Sequence, residues 1–519
     1  MEFNMTQEQG SSFEFVKHQR LTTVSSTILT FAVFFIGMKL LSYSINKLKT
    51  FDLKKTISNS GVGIFFGSPE DVMESIMEYF KKVEITPYTF WLAYVRYIVI
   101  DKPEHLQIVL NNSNCLEKSN MYKFFMNTVG EGLFSAPVEK WKKHRRIITP
   151  AFNSRLLEGF FPIFNNKNAN LLLKLEKVAD NGEYFDLWQY IESNALDIIC
   201  QTTMGYNINS MELSKIEFED ALRAASVADS MRIYKPWLHP NFIFNIYARC
   251  TGLTNCYDIV HKLPEQIIEQ KQKELREKKL KFNGNAKKEK SSFSFLDLLL
   301  ELNENGAEFS DTDIRDEVVT MMIGGTETSA VTISFTLLML AMYPEAQKKA
   351  YDQIIKILGD EEKAIQIEDV NNMTYLDQCL RETLRLFPPG PIILRRASKD
   401  IPLSDNFTIP VGANIIISPM KVHRHSRLYK NPTVWNPENF SAEEVAQRHK
   451  YSFIAFSGGP RGCIGSKYAM LSMKVTLCML LRKYYLSTNV KFEDIKLKID
   501  LLIRSVYGYN IKLYTRKKK

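Results

Sequence analysis

The chain contains no CxxC pair. Its seven cysteines, Cys115, Cys200, Cys250, Cys256, Cys379, Cys463 and Cys478, are odd in number and scattered along the sequence. That pattern excludes a disulfide framework of the secreted type and reads as reduced and cytosol-facing. Eight histidines include no HExxH, so zinc-hydrolase chemistry has no support. With 19 prolines and 23 glycines the chain is too poor in both to be a disordered linker protein. There is no internal repeat. The formal charge of +9 is spread out, with basic runs only at Lys287–Lys290 and Arg516–Lys519 that read as a solvated loop and tail. No aromatic-basic platform accompanies them, which argues against nucleic-acid binding.

What is present is length and apolar content. A chain of 519 residues, 45% hydrophobic, can hold two or three domains by length and bury a large core. Residues 1–20 carry Glu2, Glu8 and Glu14 beside Lys17 and Arg20, which argues against a mitochondrial transit peptide. Residues 21–45 are largely apolar, close to the roughly 20 residues a bilayer needs. Lys39 interrupts them near the end, where it can snorkel to headgroups. Lys47, Lys49, Lys54 and Lys55 follow, so the positive-inside rule predicts a short lumenal segment 1–20, a transmembrane anchor 21–45 and a cytosolic domain 46–519. A cleaved signal peptide is the rival, but no small-residue cleavage site follows Ile45.

Further along, Ser68-Pro69-Glu70-Asp71 starts a helix, with a cap, an early proline and acids at the positive end. Leu92–Ile100 alternates like a strand, and Asp101-Lys102-Pro103-Glu104 begins another helix. Residues 112–136 show no clear period. Residues 155–280 read as helical, except Ala225–Cys250, an aromatic run with Trp237, His239-Pro240, Phe242, Phe244 and Tyr247 that looks loop-like. Asn283–Lys290 reads as an exposed loop. Ser310 caps a helix that can run to Tyr343, where Pro344 stops it.

In the middle of that helix lies Gly324-Gly325-Thr326-Glu327-Thr328. Two interior glycines cost about 1 kcal/mol each against alanine, so they need a reason. The Thr328 hydroxyl can bond the Gly324 carbonyl four residues back and open the helix into a groove. Downstream, Phe456-Ser457-Gly458-Gly459-Pro460-Arg461-Gly462-Cys463-Ile464-Gly465 sets one thiol in a glycine loop before a helix. Peptide N–H groups and the helix dipole favour its thiolate, a soft ligand suited to haem iron.

The loop resembles the Phe-x-x-Gly-x-Arg-x-Cys-x-Gly signature of the cytochrome P-450 family, filled here by Phe456, Gly459, Arg461, Cys463 and Gly465. Trp141-Lys142-Lys143-His144-Arg145 is similar to the family's Trp-x-x-x-Arg element, and Glu382-Thr383-Leu384-Arg385 to its buried Glu-x-x-Arg pair. Gly324–Thr328 is similar to its oxygen-side motif. The resemblance runs from Trp141 to Gly465, in family order. It implies a mainly α fold with a small β subdomain behind one N-terminal transmembrane helix. It implies haem b with Cys463 as axial iron ligand, held by Phe456, Gly459, Arg461, Trp141, Arg145 and either Arg395 or Arg396. Thr328 and Glu327 then deliver protons.

The resemblance is to the microsomal type and to the fatty-acid ω-hydroxylase branch as found in insects. It implies a monooxygenase of the endoplasmic-reticulum membrane, facing the cytosol, which acts on a lipophilic substrate. Electrons come from NADPH through cytochrome P-450 reductase, with cytochrome b5 as a further donor. Lys142, Lys143, Arg448 and Lys467 flank the cysteine side and suit an acidic partner. A haem-thiolate isomerase or dehydratase and a non-catalytic haem sensor are the other classes. Three departures stand out. No proline follows the anchor in Phe51–Gly67, Asn439 stands where the family has a third-corner arginine, and Gly324 stands where the branch has a haem-esterifying glutamate.

Overall fold

At the centre lies a 32-residue helix, Asp311–Met342, in a computed structural model that describes residues 67–517. Within that range 84–85, 93–94, 209–211, 282–293, 305, 307–308, 360–362 and 405 are not described. The expected lumenal segment, the anchor, nearly all of the 51–67 junction and the loop 283–290 lie outside the described residues.

The central helix begins as its sequence requires. Ser310 accepts from the Asp313 N–H, Asp313 accepts from the Ser310 N–H, and Pro344 begins the next helix, Pro344–Leu358. Among the described residues it is the one helix long and apolar enough to cross a bilayer, but 83% of that apolar window is buried, which makes it a core element. Trp188–Thr203 packs along it most extensively, and Thr374–Leu386 and Ser466–Lys483 flank it. Gly325 makes the first contact possible, because a Cβ there would stand 2.4 Å from the Ile199 Cδ1.

The architecture is mainly helical with small β regions. The largest sheet has four strands in the order Tyr88–Leu92, Val95–Ile100, Asn414–Ile417, Ile393–Arg396. The middle pair is parallel and the outer pairs antiparallel. The strand expected over Leu92–Ile100 is in fact the second strand of a hairpin, since Leu92 closes the first strand opposite Val95. Ser68 and Asp71 form the expected capping box on Pro69–Lys82, and Pro103–Asn111 follows Asp101-Lys102.

Ala225–Cys250 is not a loop. It comprises the end of Glu212–Tyr234, a 3-10 turn Pro236–Leu238 and a helix Asn241–Cys250. Arg232 organises it. Its guanidinium lies 4.6 Å from the Phe124 ring and 4.2 Å from the Phe244 ring. It also donates to the carbonyls of Leu238 and His239 and to Asn241 Oδ1. The aromatics that hide the helical period are used in tertiary contacts.

Candidate functional site

The cysteine loop is shaped by backbone. Gly459 has φ +66° and a Cβ there would meet the Leu110 carbonyl oxygen at 1.9 Å, so only glycine fits. The Cys463 N–H donates to the Phe456 carbonyl at 2.9 Å, closing the loop, and Gly462 N–H donates to the Gly459 carbonyl at 3.0 Å. The helix Ser466–Lys483 starts directly after. Cys463 is accessible, yet desolvation pushes its thiol above the ordinary range against a Gly465 backbone hydrogen bond and Arg145. The Gly465 backbone hydrogen bond and Arg145 act toward the thiolate while burial acts against it.

Beside the loop sits a cluster of cations. Arg461 is buried, donates to the Leu116 carbonyl at 3.0 Å and to the Ala136 carbonyl, and lies 4.7 Å over the Trp141 ring. Its Nε has no partner among the described residues. Arg395 is 2% exposed and donates to the Leu394 carbonyl at 3.2 Å; desolvation lowers its pKa below the usual range, with Tyr122 opposing. Arg396 points to the opposite side of the strand, half-buried, with its N–H on the Glu117 carbonyl. Lys118, which sequence reasoning missed, lies 4.1 Å over the Tyr122 ring. Desolvation first, then Arg395 and Arg461, hold its ammonium well below the usual range. Desolvation likewise lowers Arg461 to about 10, with Arg395 and Arg145 adding repulsion and Glu117 opposing. Cations gathered with so little negative charge fit the two acid groups of a haem.

On the central helix Gly324 is exposed between buried Ile323 and half-buried Gly325, and nothing stands within 4 Å of a Cβ there. Thr328 Oγ1 donates to the Gly324 carbonyl at 2.6 Å, as its spacing predicts. Thr332 and Thr336 repeat the pattern, each bonding the carbonyl four residues back at 2.7 Å. Glu327, on the same helix, is buried. It is 1% exposed, and its Oε1 accepts from Arg504 at 2.5 Å. Arg504 comes from the strand Leu502–Ser505, 177 residues away, and local sequence carries no signal for that partner.

Glu382 and Arg385 are both wholly buried and joined by two hydrogen bonds of 2.7 Å. Arg385 also donates to the carbonyls of His423, Pro432 and Val434. Asn439 Nδ2 donates to Glu382 Oε1 at 3.0 Å, so the amide fills the third corner that the missing guanidinium seemed to leave open. Arg448 is not a free surface cation. It donates to the Asn439 carbonyl and stacks 4.4 Å over Tyr429, whose ring Arg385 also approaches, at 4.8 Å.

Comparison with known proteins finds relatives over most of the chain. The family model described as Cytochrome P450 matches residues 54–512. The chain is 35% identical to "Cytochrome P450 4c21" of Blattella germanica, over 85% of its own length and 87% of the relative's. It is 32% identical to "Cytochrome P450 4V2" of Homo sapiens, over 86% of each chain. It is 33% identical to "Cytochrome P450 4c3" of Drosophila melanogaster, over 82% of this chain and 81% of the other. The crystal structure of the cytochrome P450DA heme domain superposes with a TM-score of 0.73 at 20% identity, over 88% of this chain and 95% of that one.

Proposed function

Because the chain belongs to the cytochrome P450 family and is a haem-dependent monooxygenase, we propose that it inserts one atom of O2 into a lipophilic substrate at the endoplasmic-reticulum membrane. The substrate is a fatty acid, terpenoid, steroid or xenobiotic, with NADPH supplying electrons through a flavoprotein reductase and cytochrome b5 assisting. The balance is RH + O2 + NADPH + H+ giving ROH + H2O + NADP+.

Haem, when bound, would supply oxygen activation at iron. Cys463 would hold the iron through its sulfur in this reading. Arg145, Arg395 and Arg461 hold the acid groups, and Arg461 keeps its place by its two carbonyls and the Trp141 ring. Phe456 and Gly459 set the loop's shape through the Cys463 N–H bond and the close pass at Leu110. Thr328 donates to the Gly324 carbonyl within an unbroken helix and sets a hydroxyl beside the exposed Gly324. Glu327 is the buried acid that supplies protons there; burial first holds its carboxyl above the usual range, with Arg504 opposing.

The observation that carries the reading is the Thr328–Gly324 bond beside an exposed glycine in the middle of a largely buried helix. An isomerase or dehydratase needs no such oxygen-side relay. Phe242 and Ile246, 68% and 60% exposed one turn apart on Asn241–Cys250, support contact of this region with the bilayer. Lys142 and Lys467, both exposed, support docking of an acidic partner on the cysteine side. The test is substrate-dependent NADPH consumption with reductase across fatty acids, terpenoids and steroids. A product carrying one atom of 18O from labelled O2 is expected. Peroxide isomerisation without NADPH would displace the reading.

A further inference from the structure

Asp229 is wholly buried at the meeting point of three elements. It belongs to the helix Glu212–Tyr234, and its carboxyl oxygens accept from two others. Thr128 Oγ1, on the short helix Met126–Val129, donates to Oδ2 at 2.5 Å. The Tyr257 hydroxyl, on the helix Leu253–Lys281, donates to Oδ1 at 2.7 Å. One turn further along that last helix, a His261 ring nitrogen meets the Asn127 carbonyl at 2.8 Å. Both long helices therefore grip the same short segment.

That segment and Glu212–Tyr234 each lead back to the central helix. Just after Val129, the Glu131 N–H donates to Asp316 Oδ2 at 2.8 Å and the Leu133 N–H to Glu317 Oε2 at 3.1 Å. On the other side, Ser230 Oγ accepts from the Leu501 N–H at 2.5 Å, and Arg504 of the same hairpin binds Glu327. Asp316 and Glu317 precede Gly324 by about two turns, and Glu327 follows it by about one. Glu212–Tyr234 thus spans supports that rest on the central helix to either side of the Gly324 opening.

We propose that Asp229 is a titratable latch: it fastens this helical roof to the segment 126–133, and closure over the Gly324 opening strengthens when Asp229 takes up a proton. The inference rests on the reading of a haem at that opening. Asp229 bonds hydroxyls and not cations. Arg232, three residues on, donates to the Leu238 and His239 carbonyls and to Asn241. Burial pushes the Asp229 carboxyl up to about 7, opposed by the two hydroxyls and by Arg232. Lys123, Asp258, His261, Asp316, Lys498 and Asp500 stand on the surrounding elements and add nothing to that balance.

Opening lets water reach the carboxyl, whose pKa then returns toward about 4. The value is raised in the closed form, so the neutral acid favours closure. That contribution is complete below the open-form value and is lost as pH rises to about 7. Above it, closure must hold a buried carboxylate without an ion partner.

The experiment needs no knowledge of the substrate. Ferric holoenzyme is mixed with a bulky aryl triazole, which stays neutral over the range used and shifts the Soret band on reaching the iron. Entry and exit rates are read by stopped flow between pH 6 and pH 8 for wild type, Asp229→Asn, Thr128→Val and Tyr257→Phe. Carbon monoxide rebinding to the ferrous form after a flash is the small-probe control. In wild type both triazole rates should be about tenfold lower at pH 6 than at pH 8, with no such change for carbon monoxide. Asp229→Asn keeps partners for both hydroxyls and has no proton to lose, so its rates should be flat and near the wild-type pH 6 values. Thr128→Val and Tyr257→Phe each lose one bond of the latch and should admit the triazole at least about threefold faster at pH 6.

A flat wild-type profile, an equal change for carbon monoxide, or a wild-type profile kept in Asp229→Asn overturns the latch alone. If Asp229→Asn holds no haem, the hydroxyl variants decide, and wild-type entry at pH 6 in both overturns the proposal. A triazole that never shifts the Soret band overturns the reading of a haem at this opening, and the latch with it.

Discussion

Asn439 Nδ2 donates to Glu382 Oε1 at 3.0 Å, in the same buried cluster where both Glu382 oxygens bind Arg385. A short amide therefore completes a corner that a longer guanidinium fills elsewhere in the family. The second cation has moved to Arg448, which reaches the Asn439 carbonyl and packs on Tyr429 and Phe440.

From that arrangement, Glu382→Ala or Arg385→Ala leaves one buried charge without its partner. The cost is about 3–5 kcal/mol, enough to prevent haem incorporation. Asn439→Ala removes one hydrogen bond to a charged group and should cost about 1.5–3 kcal/mol while leaving a haem-loaded protein. Thermal unfolding and haem content of the purified variants check both. Equal damage from Arg385→Ala and Asn439→Ala would mean that the pair is not the stronger element.

Thr328→Ala should retain haem and raise the ratio of peroxide to product by about tenfold or more. The Gly324 carbonyl loses its hydroxyl donor, and proton delivery beside it becomes unselective. Parallel assays of peroxide and product test this. An unchanged ratio removes Thr328 from the reaction.

These residues were legible in sequence because each lies in a short motif whose spacing carries its chemistry. The cysteine loop, the Thr328 back-bond and the Glu382–Arg385 pair all involve partners within a few residues. What stayed hidden depends on distant chain. Arg504 meets Glu327 across 177 residues, and Lys118 joins Arg395 and Arg461 through the aperiodic stretch 112–136. Asn439 read as a deficit because motif reasoning counts side-chain types and not reach. Ala225–Cys250 read as a loop because its aromatics are split between Arg232 and an exposed face, and so blur the helical period.

Haem should be held without a covalent bond to a side chain. Gly324 has no carboxylate, and Glu327 lies three residues on, roughly 60° short of a full turn, tied to Arg504. Acidic organic extraction is expected to release intact haem and leave a bare polypeptide mass. A looser ring suits in-chain or broader oxidation more than strict terminal hydroxylation. Because open space surrounds a Cβ at position 324, Gly324→Glu can be accommodated and should gain a haem adduct during turnover. A wild-type mass increased by haem refutes the first expectation, and an adduct-free Gly324→Glu the second.

Removing residues 1–45 should move the protein partly to the soluble fraction with its haem retained. Phe242 and Ile246 should keep some of it on membranes. Phe242→Ser/Ile246→Ser in the truncated chain should release the remainder, as read by flotation with vesicles. Complete loss of haem on truncation would mean that the segment belongs to the folded domain.

The claim at the centre is that Cys463 carries the iron. The reduced carbon monoxide complex of the wild-type protein should show the red-shifted Soret band that a thiolate opposite CO produces. Cys463→Ala should lack it, whether or not haem still enters the fold. A shifted band that survives in Cys463→Ala would contradict the assignment and send the search for the ligand to another residue.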